Sequence, residues 1–385
     1  MSKLKILISA GEASSEMYAA RLARALRERT GAELFGMGGP RMAEAGVELV
    51  ADYHEVAVVG VAEVLHKIPT VVGVQRRLAR EAARRRPTLA ILIDSPGTHL
   101  GVARRLKNFG IPVGYFIGPQ VWAWRPGRVH VIKRLVKRIV VIFPFEEKIY
   151  RDAGVPVDFV GHPLVDVVKP GMTRAEFAAY FGLDAQRPIV ALLPGSRRGE
   201  IRRNFPGVLE ACERVARAMP ETGVQFVHAS APELTEEFLA PFARPGLQVH
   251  RVTGATYDAL AAADCAIVAS GTATVEAALL GAPMVVIYRV APLTAMVMRH
   301  LLRTPYIGMV NLIAGRMIAP ELVQNRFTAE GVAREVMRLL KSPEAREEMK
   351  AALAEVRAKL GPGGAIERAA DVFARMALEA GGLGN

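Results

Sequence analysis

Aromatic residues make up only 6% of this 385-residue chain although 51% of it is hydrophobic, so any core must be built mainly from aliphatic and alanine side chains. Cysteine is scarcer still. Cys212 and Cys265 lie far apart, in segments that read as a helix and a buried strand. That excludes a disulfide framework and a cysteine metal site, and it fits a reducing compartment. We read both as inert core thiols. No apolar run reaches the ~18 residues of a membrane-spanning helix before charge, proline or glycine interrupts it. Met1-Ser2-Lys3-Leu4-Lys5 runs straight into Ile6-Leu7-Ile8 without a signal-peptide core, so a cytoplasmic location is expected. Repeats of fixed period and low-complexity tracts are missing. Acidic residues are in deficit, 38 against 50 lysines and arginines, leaving a net charge of +12. That imbalance asks for an anionic partner: nucleic acid, an anionic membrane or a phosphorylated substrate.

What is present is an alternation of short aliphatic runs with amphipathic stretches. Strands are expected at Leu4–Ile8, Glu33–Met37, Leu89–Ile93, Val113–Phe116, Ile139–Phe143 and Val157–Val160. They are expected again at Ile189–Leu193, Val224–His228, Val249–Val252, Cys265–Ala269 and Met284–Tyr288. Helical patterns such as Ala19–Arg29 and Leu78–Arg85 fall between them. Continuous aliphatic strands separated by helices indicate parallel sheets covered on both faces. The fold class is therefore α/β, as two doubly wound Rossmann-like domains with ligand bound outside the strands' carboxyl ends. Gly161-His162-Pro163 and Lys169-Pro170-Gly171 mark a boundary, dividing the chain at about 1–165 and 166–360. After Ser342 the sequence is helix-rich. Beyond Gly361-Pro362-Gly363-Gly364 a last helix, Ala365–Leu378, is expected to carry 365–385 back onto the first domain or onto a second subunit as a homodimer contact.

Two loops of the second half carry the clearest chemistry. Cys265–Ala269 leads through Ser270-Gly271-Thr272-Ala273-Thr274 into a helix, where small residues admit a diphosphate to backbone N–H groups and the helix dipole. Glu276 stands where it can accept hydrogen bonds from ribose hydroxyls; alternatively the segment is an ordinary hydroxyl N-cap with a dipole-friendly acid. The second loop, Leu193-Pro194-Gly195-Ser196-Arg197-Arg198-Gly199-Glu200, joins the first strand of this half to a helix. Gly195 and Ser196 form an open turn, and Arg197 offers a planar donor fork for phosphate. Together the loops indicate a diphosphate site. A nicotinamide site is disfavoured, because Ala10-Gly11-Glu12-Ala13-Ser14-Ser15 lacks G-x-G-x-x-G and Gly36-Met37-Gly38-Gly39 follows the second strand.

In the first half, Glu12, Ser14 and Ser15 open a helix at the first strand's carboxyl end. Asp94 ends the apolar strand Leu89–Ile93, as a general base for an acceptor hydroxyl or as a turn-forming residue before Pro96. Trp122, Trp124, Arg125 and Arg128 share a loop suited to a sugar phosphate or phospholipid head group. The apolar stretch Val56–Val72 precedes Gln75-Arg76-Arg77 and Arg84-Arg85-Arg86. It is either a surface for anionic lipid, supported by Lys133-Arg134 and Lys137-Arg138, or a buried helix pair with a solvated basic end. Nucleic acid is not expected, since no binding module appears and basic residues are not interleaved with stacking aromatics.

These segments resemble the lipid-A-disaccharide synthase family, inverting glycosyltransferases with two domains facing across a cleft (GT-B). The resemblance rests on Ala10-Gly11-Glu12-Ala13-Ser14, Gly38-Gly39-Pro40-Arg41-Met42, Asp94-Ser95-Pro96, Val121-Trp122-Ala123-Trp124-Arg125, Phe143-Pro144-Phe145-Glu146, Gly161-His162-Pro163, Leu193–Arg197, Ala269–Thr274, Tyr288-Arg289 and Asn311-Leu312-Ile313-Ala314-Gly315-Arg316. It implies transfer of 2,3-diacylglucosamine from UDP to 2,3-diacylglucosamine 1-phosphate, giving a β-1,6-linked disaccharide 1-phosphate. Asp94 would be the base on the 6-hydroxyl and Arg197 a diphosphate ligand. Ser270, Gly271, Thr272 and Glu276 would hold UDP, and Asn311, Arg316 and Gln324 would line the cleft. No metal and no cofactor is implied, since helix N-termini and arginine can stabilise the leaving diphosphate. Peripheral attachment to the cytoplasmic face of the inner membrane is expected.

Two segments depart from the family pattern, both on the acceptor side. Ser14-Ser15-Glu16 stands for Ser-Gly-Asp, and Gly97-Thr98-His99 for (Gly or Asp)-Phe-Asn, which raises a part for His99 in proton transfer. The rival readings are a UDP-N-acetylglucosamine 2-epimerase, disfavoured by the apolar-basic stretch, and a catalytically silent lipid-binding protein, disfavoured by intact Asp94, Arg197 and Glu276.

Overall fold

The computed structural model describes residues 4–56, 61–123, 126–291, 295–296 and 304–382, without the side chains of Ser14 and of residues 61–66. Trp124, Arg125 and residues 57–60 of the apolar stretch lie outside the described residues. The chain forms two compact units, Met1–Pro163 with Leu360–Asn385, and Leu164–Lys359.

The first unit holds a seven-stranded sheet of order β3-β2-β1-β4-β5-β6-β7. Its strands are β1 Lys5–Ala10, β2 Glu33–Gly38, β3 Val47–Asp52, β4 Leu89–Ile93, β5 Val113–Phe116, β6 Arg138–Val141 and β7 Val157–Phe159. Every pairing is parallel. Leu89–Ile93 is buried at all five positions, as an aliphatic strand covered on both faces requires. β3 escaped the sequence reading because it is an edge strand with exposed Glu48 and Leu49. The last helix, Ala365–Ala380, packs on the helix Ala13–Thr30 of its own chain. Arg29 binds Glu367 and Asp371, each at 2.7 Å. Phe373 is fully buried, edge-on to Phe116 at 6.3 Å. It lies so close to β5 that a Cβ on Gly114 would stand 2.6 Å from its ring.

The second unit holds a six-stranded sheet of order β10-β9-β8-β11-β12-β13. Its strands are β8 Ile189–Leu193, β9 Gln225–Ser230, β10 Val249–Thr253, β11 Cys265–Ala269, β12 Met284–Tyr288 and β13 Glu321–Val323, again all parallel. β13 was too short to read, at three half-buried residues.

The apolar-basic stretch forms one helix, Val61–Arg85, with Pro69 inside it. Val74, Leu78, Ala79 and Ala82 are core residues, while Ile68 is 49% exposed. Its basic end is largely ion-paired: Arg77 with Glu55, Arg84 with Glu81, and Arg85 with both Glu48 and Glu81. No helix among the described residues is long and apolar enough to cross a membrane.

Candidate active site

Each sheet reverses its winding once, and most of the chemically loaded residues collect at these two points. In the first unit the reversal lies between β1 and β4, paired through Ala10 and Ile93, so Gly11 and Asp94 leave adjacent strand ends. Ligands of doubly wound sheets bind at this crevice. Gly11 passes so close to the Asp94 loop that a Cβ would stand 2.4 Å from Ser95 Oγ. Asp94 and Ser95 take φ of 54° and 46°, and Ile117, at the end of β5, takes 56°. A β-branched residue in that region is a genuine outlier. Arg86 and Gln324 are the other described non-glycine residues with positive φ, and Gln324 directly follows β13. Strained backbone of this kind concentrates at functional sites.

The Asp94 carbonyl accepts hydrogen bonds from Tyr115 Oη and His99 Nδ1, both at 2.7 Å. With Nδ1 donating, Nε2 accepts from the Ser9 hydroxyl at 2.9 Å. His99 is fully buried, and burial pushes its imidazole down to about 4. It is therefore a neutral support for the loop at physiological pH, with both ring nitrogens engaged by Ser9 and the Asp94 carbonyl. The Asp94 carboxyl is pushed up from 3.8 to about 6, first by burial and then by the charge of Glu12. It is ionised at neutral pH and basic enough to take a proton.

The neighbouring residues divide. Glu12 is exposed at the start of Ala13–Thr30. Ser15 is buried, and its hydroxyl exchanges hydrogen bonds with the backbone of Glu12 at 3.1 and 2.9 Å. Glu16 is buried too and accepts from the Arg41 amide at 2.9 Å. The Ser15-Glu16 departure thus ties helix ends together inside the unit. Trp122 donates Nε1 to Glu146 at 3.2 Å and packs edge-on to Phe145 at 5.2 Å. Glu146 is buried and its carboxyl is pushed up to about 7 by burial. The Ser14 side chain and Arg125 lie outside the described residues.

In the second unit the reversal lies between β8 and β11, paired through Leu193 and Val268, which sets the two glycine loops side by side. Gly195 and Gly271 take φ of 134° and 146°. The Ser270 hydroxyl donates to the Ile307 carbonyl at 2.9 Å. Thr272 opens the helix Thr272–Leu279, whose first amides have no intrahelical acceptor and carry the positive end of the dipole. Glu276 accepts from Tyr257 Oη at 3.2 Å, and burial raises its carboxyl above the ordinary range. Tyr257 gave no signal in the sequence; it reaches Glu276 because the helix Thr256–Ala262 packs beside Thr272–Leu279.

Arg197 is 65% exposed, 3.6 Å from Glu200. Glu200 also accepts from the amides of Ser196 and Arg197 at 3.1 and 3.3 Å, so this helix start carries its own carboxylate. Asn311 is fully buried and saturated. It donates to Ala319 O and Glu321 at 2.8 Å each and accepts from the amides of Ile318 and Ala319 at 2.8 and 3.0 Å. With all four of these bonds made inside its own unit, it fastens the 316–320 loop. Arg316 pairs with Glu355 at 2.8 Å, on the helix Pro343–Lys359. Gln324 directly follows β13, at the same carboxyl edge of the sheet as the glycine loops. No group of three or more histidine, cysteine or acidic side chains among the described residues is placed to hold a metal ion.

Comparison with known proteins agrees with this geometry. A family model described as Lipid-A-disaccharide synthetase matches residues 6–373. The lipid-A-disaccharide synthase of Solibacter usitatus is 47% identical over 369 residues, covering 95% of this chain and 96% of the relative. That of Geobacter metallireducens is 46% identical, covering 97% of each. Among solved structures, the S. aureus MnaA-UDP complex superposes with a TM-score of 0.67 at 11% identity, covering 99% of this chain and 97% of that one. The glycotransferase of kitacinnamycin gives 0.63 at 18%, covering 98% and 100%. These structural likenesses show the GT-B fold alone. With the family model spanning nearly its whole length, the chain belongs to the lipid-A-disaccharide synthase family.

Proposed function

We propose that this chain joins 2,3-diacylglucosamine, delivered as its UDP derivative, to 2,3-diacylglucosamine 1-phosphate, forming the β-1,6-linked disaccharide 1-phosphate and UDP. The observation that carries the reading is a half-buried, ionisable Asp94 at the winding reversal of a family member. Asp94 takes the proton of the acceptor 6-hydroxyl as that oxygen attacks the donor's anomeric carbon. The bond from that carbon to the diphosphate breaks, and the configuration inverts. The open first turn of Thr272–Leu279 and the guanidinium of Arg197 stabilise the charge on the departing UDP. Glu276, held by Tyr257, accepts the ribose hydroxyls. The amides of Ser196 and Arg197 are engaged by Glu200, so the phosphates draw on Arg197's side chain and not on those amides.

Both substrates carry acyl chains, and we place the enzyme peripherally at the cytoplasmic face of the inner membrane, with exposed Ile68 of Val61–Arg85 at the lipid side. Incubating the purified protein with both substrates in detergent and following UDP and disaccharide tests the reaction. Absence of disaccharide would refute it. Binding to anionic vesicles that weakens as salt rises tests the membrane placement; failure to bind such vesicles at low salt refutes it.

A further inference from the structure

Beside the Asp94 loop the first unit has a groove of about 370 Å³, running along the helix Pro96–Asn108. Three guanidinium groups line it, those of Arg104 and Arg105 on that helix and of Arg128 at the start of the helix Arg128–Leu135, and among the described residues no carboxylate does. Leu100 and Val131 add apolar wall. Glycine at 101 makes room for Gln75, because a Cβ there would stand 2.3 Å from its amide nitrogen. Gln75 in turn donates to Thr98 O at 3.1 Å and accepts from Arg105 Nη1 at 2.9 Å. Arg105 is thus held by one nitrogen, leaving other donors of its fork for a ligand.

The groove opens at the reacting end of the unit. Pro96, part of its lining, is two residues from Asp94, so their Cα atoms are at most ~7.6 Å apart. Arg104 and Arg105 belong to the same helix as Pro96, and the Asp94 carbonyl beside it is held by the Tyr115 hydroxyl at 2.7 Å. Cations and general base therefore share one neighbourhood. Several planar donor forks on one wall suit a phosphate monoester, and the apolar wall suits a ligand that also carries hydrocarbon.

We propose that this groove binds the phosphate of the acceptor sugar, with Arg104, Arg105 and Arg128 as its ligands. The inference rests on the reading of the chain as a disaccharide synthase. Its consequence is regiochemical: a sugar anchored by its phosphate presents one chosen hydroxyl to Asp94.

The test uses Arg104→Ala and Arg128→Ala, assayed in detergent with the phosphorylated acceptor and with the same acceptor lacking its phosphate. Each substitution should raise the KM for the phosphorylated acceptor by about 10- to 100-fold, as expected for losing a hydrogen bond to a charged group. The KM for the UDP donor should stay unchanged. With the acceptor lacking phosphate, wild type and variants should converge. Equal losses on both acceptors, or no loss on either, would overturn the assignment. A loss seen only with anionic vesicles and absent in detergent would assign the arginines to lipid and overturn it as well. A wild-type enzyme that makes no disaccharide at all would instead sink the underlying reading, so the two failures are distinguishable.

Discussion

Asp94→Asn should inactivate the enzyme and stabilise it, and the two effects should share one pH dependence. The folded protein holds this carboxyl at about 6 against an ordinary 3.8. Ionisation is therefore easier in the unfolded chain, and at ~1.4 kcal/mol per pH unit the ionised group destabilises the fold by about 3 kcal/mol. The sign follows from proton binding. Between 3.8 and 6 the folded state binds more protons, so wild-type stability falls as pH rises through that window. Asparagine cannot ionise, and it is among the few residues that tolerate the left-handed backbone Asp94 adopts. The variant should match wild type below about pH 4 and exceed it by about 3 kcal/mol above pH 7, which is ~6–12 °C in Tm for a unit of this size. Thermal unfolding of both proteins from pH 4 to 8, alongside a kcat/KM profile of wild type with an acidic limb near 6, measures both halves. A variant no more stable than wild type at pH 7.5, or one that still turns over at the wild-type rate, would refute the reasoning.

Three further outcomes follow from the geometry. His99→Ala removes a buried support of the Asp94 carbonyl; kcat should fall about 100-fold while UDP affinity stays unchanged, and restoring the family's asparagine should recover part of it. Glu276→Ala should weaken UDP binding by about 10- to 100-fold in calorimetry, with Tyr257→Phe having a smaller effect in the same direction. Asn311→Ala leaves buried polar groups unpaired and should destabilise the second unit by about 2–4 kcal/mol, while folded protein keeps its UDP affinity; a loss of affinity without a loss of stability would return Asn311 to the ligand.

The sheets were legible because their central strands are uninterrupted aliphatic runs, as Leu89–Ile93 and Ile189–Leu193 illustrate. Edges were not: β3 buries only Val47 and Ala51, out of step with a strand's alternation, and β13 has three residues, so neither gives a periodic signal. At the site, residue types announced the glycine loops and Asp94, because glycine, arginine and a carboxylate after an apolar strand each have few uses. Side-chain engagement could not be read. Ser15, Glu16, His99 and Asn311 are polar residues in suggestive places whose groups are taken up internally. Glu200 on the amides of Ser196 and Arg197 belongs to the same class, because a carboxylate three or four residues on looks like any first-turn acid until its hydrogen bonds are seen.

The last helix closes the unit that the chain began, since Leu360–Asn385 belongs with Met1–Pro163. During synthesis the ribosome delivers all of Leu164–Lys359 before the partner of Gly114 and Phe116 exists. The second unit can therefore finish folding first, while the opening one waits, with the seat of Phe373 uncovered, for the final residues to arrive. A premature stop near residue 360 would leave the neighbouring second unit whole and cripple the first, whose other strands were made long before.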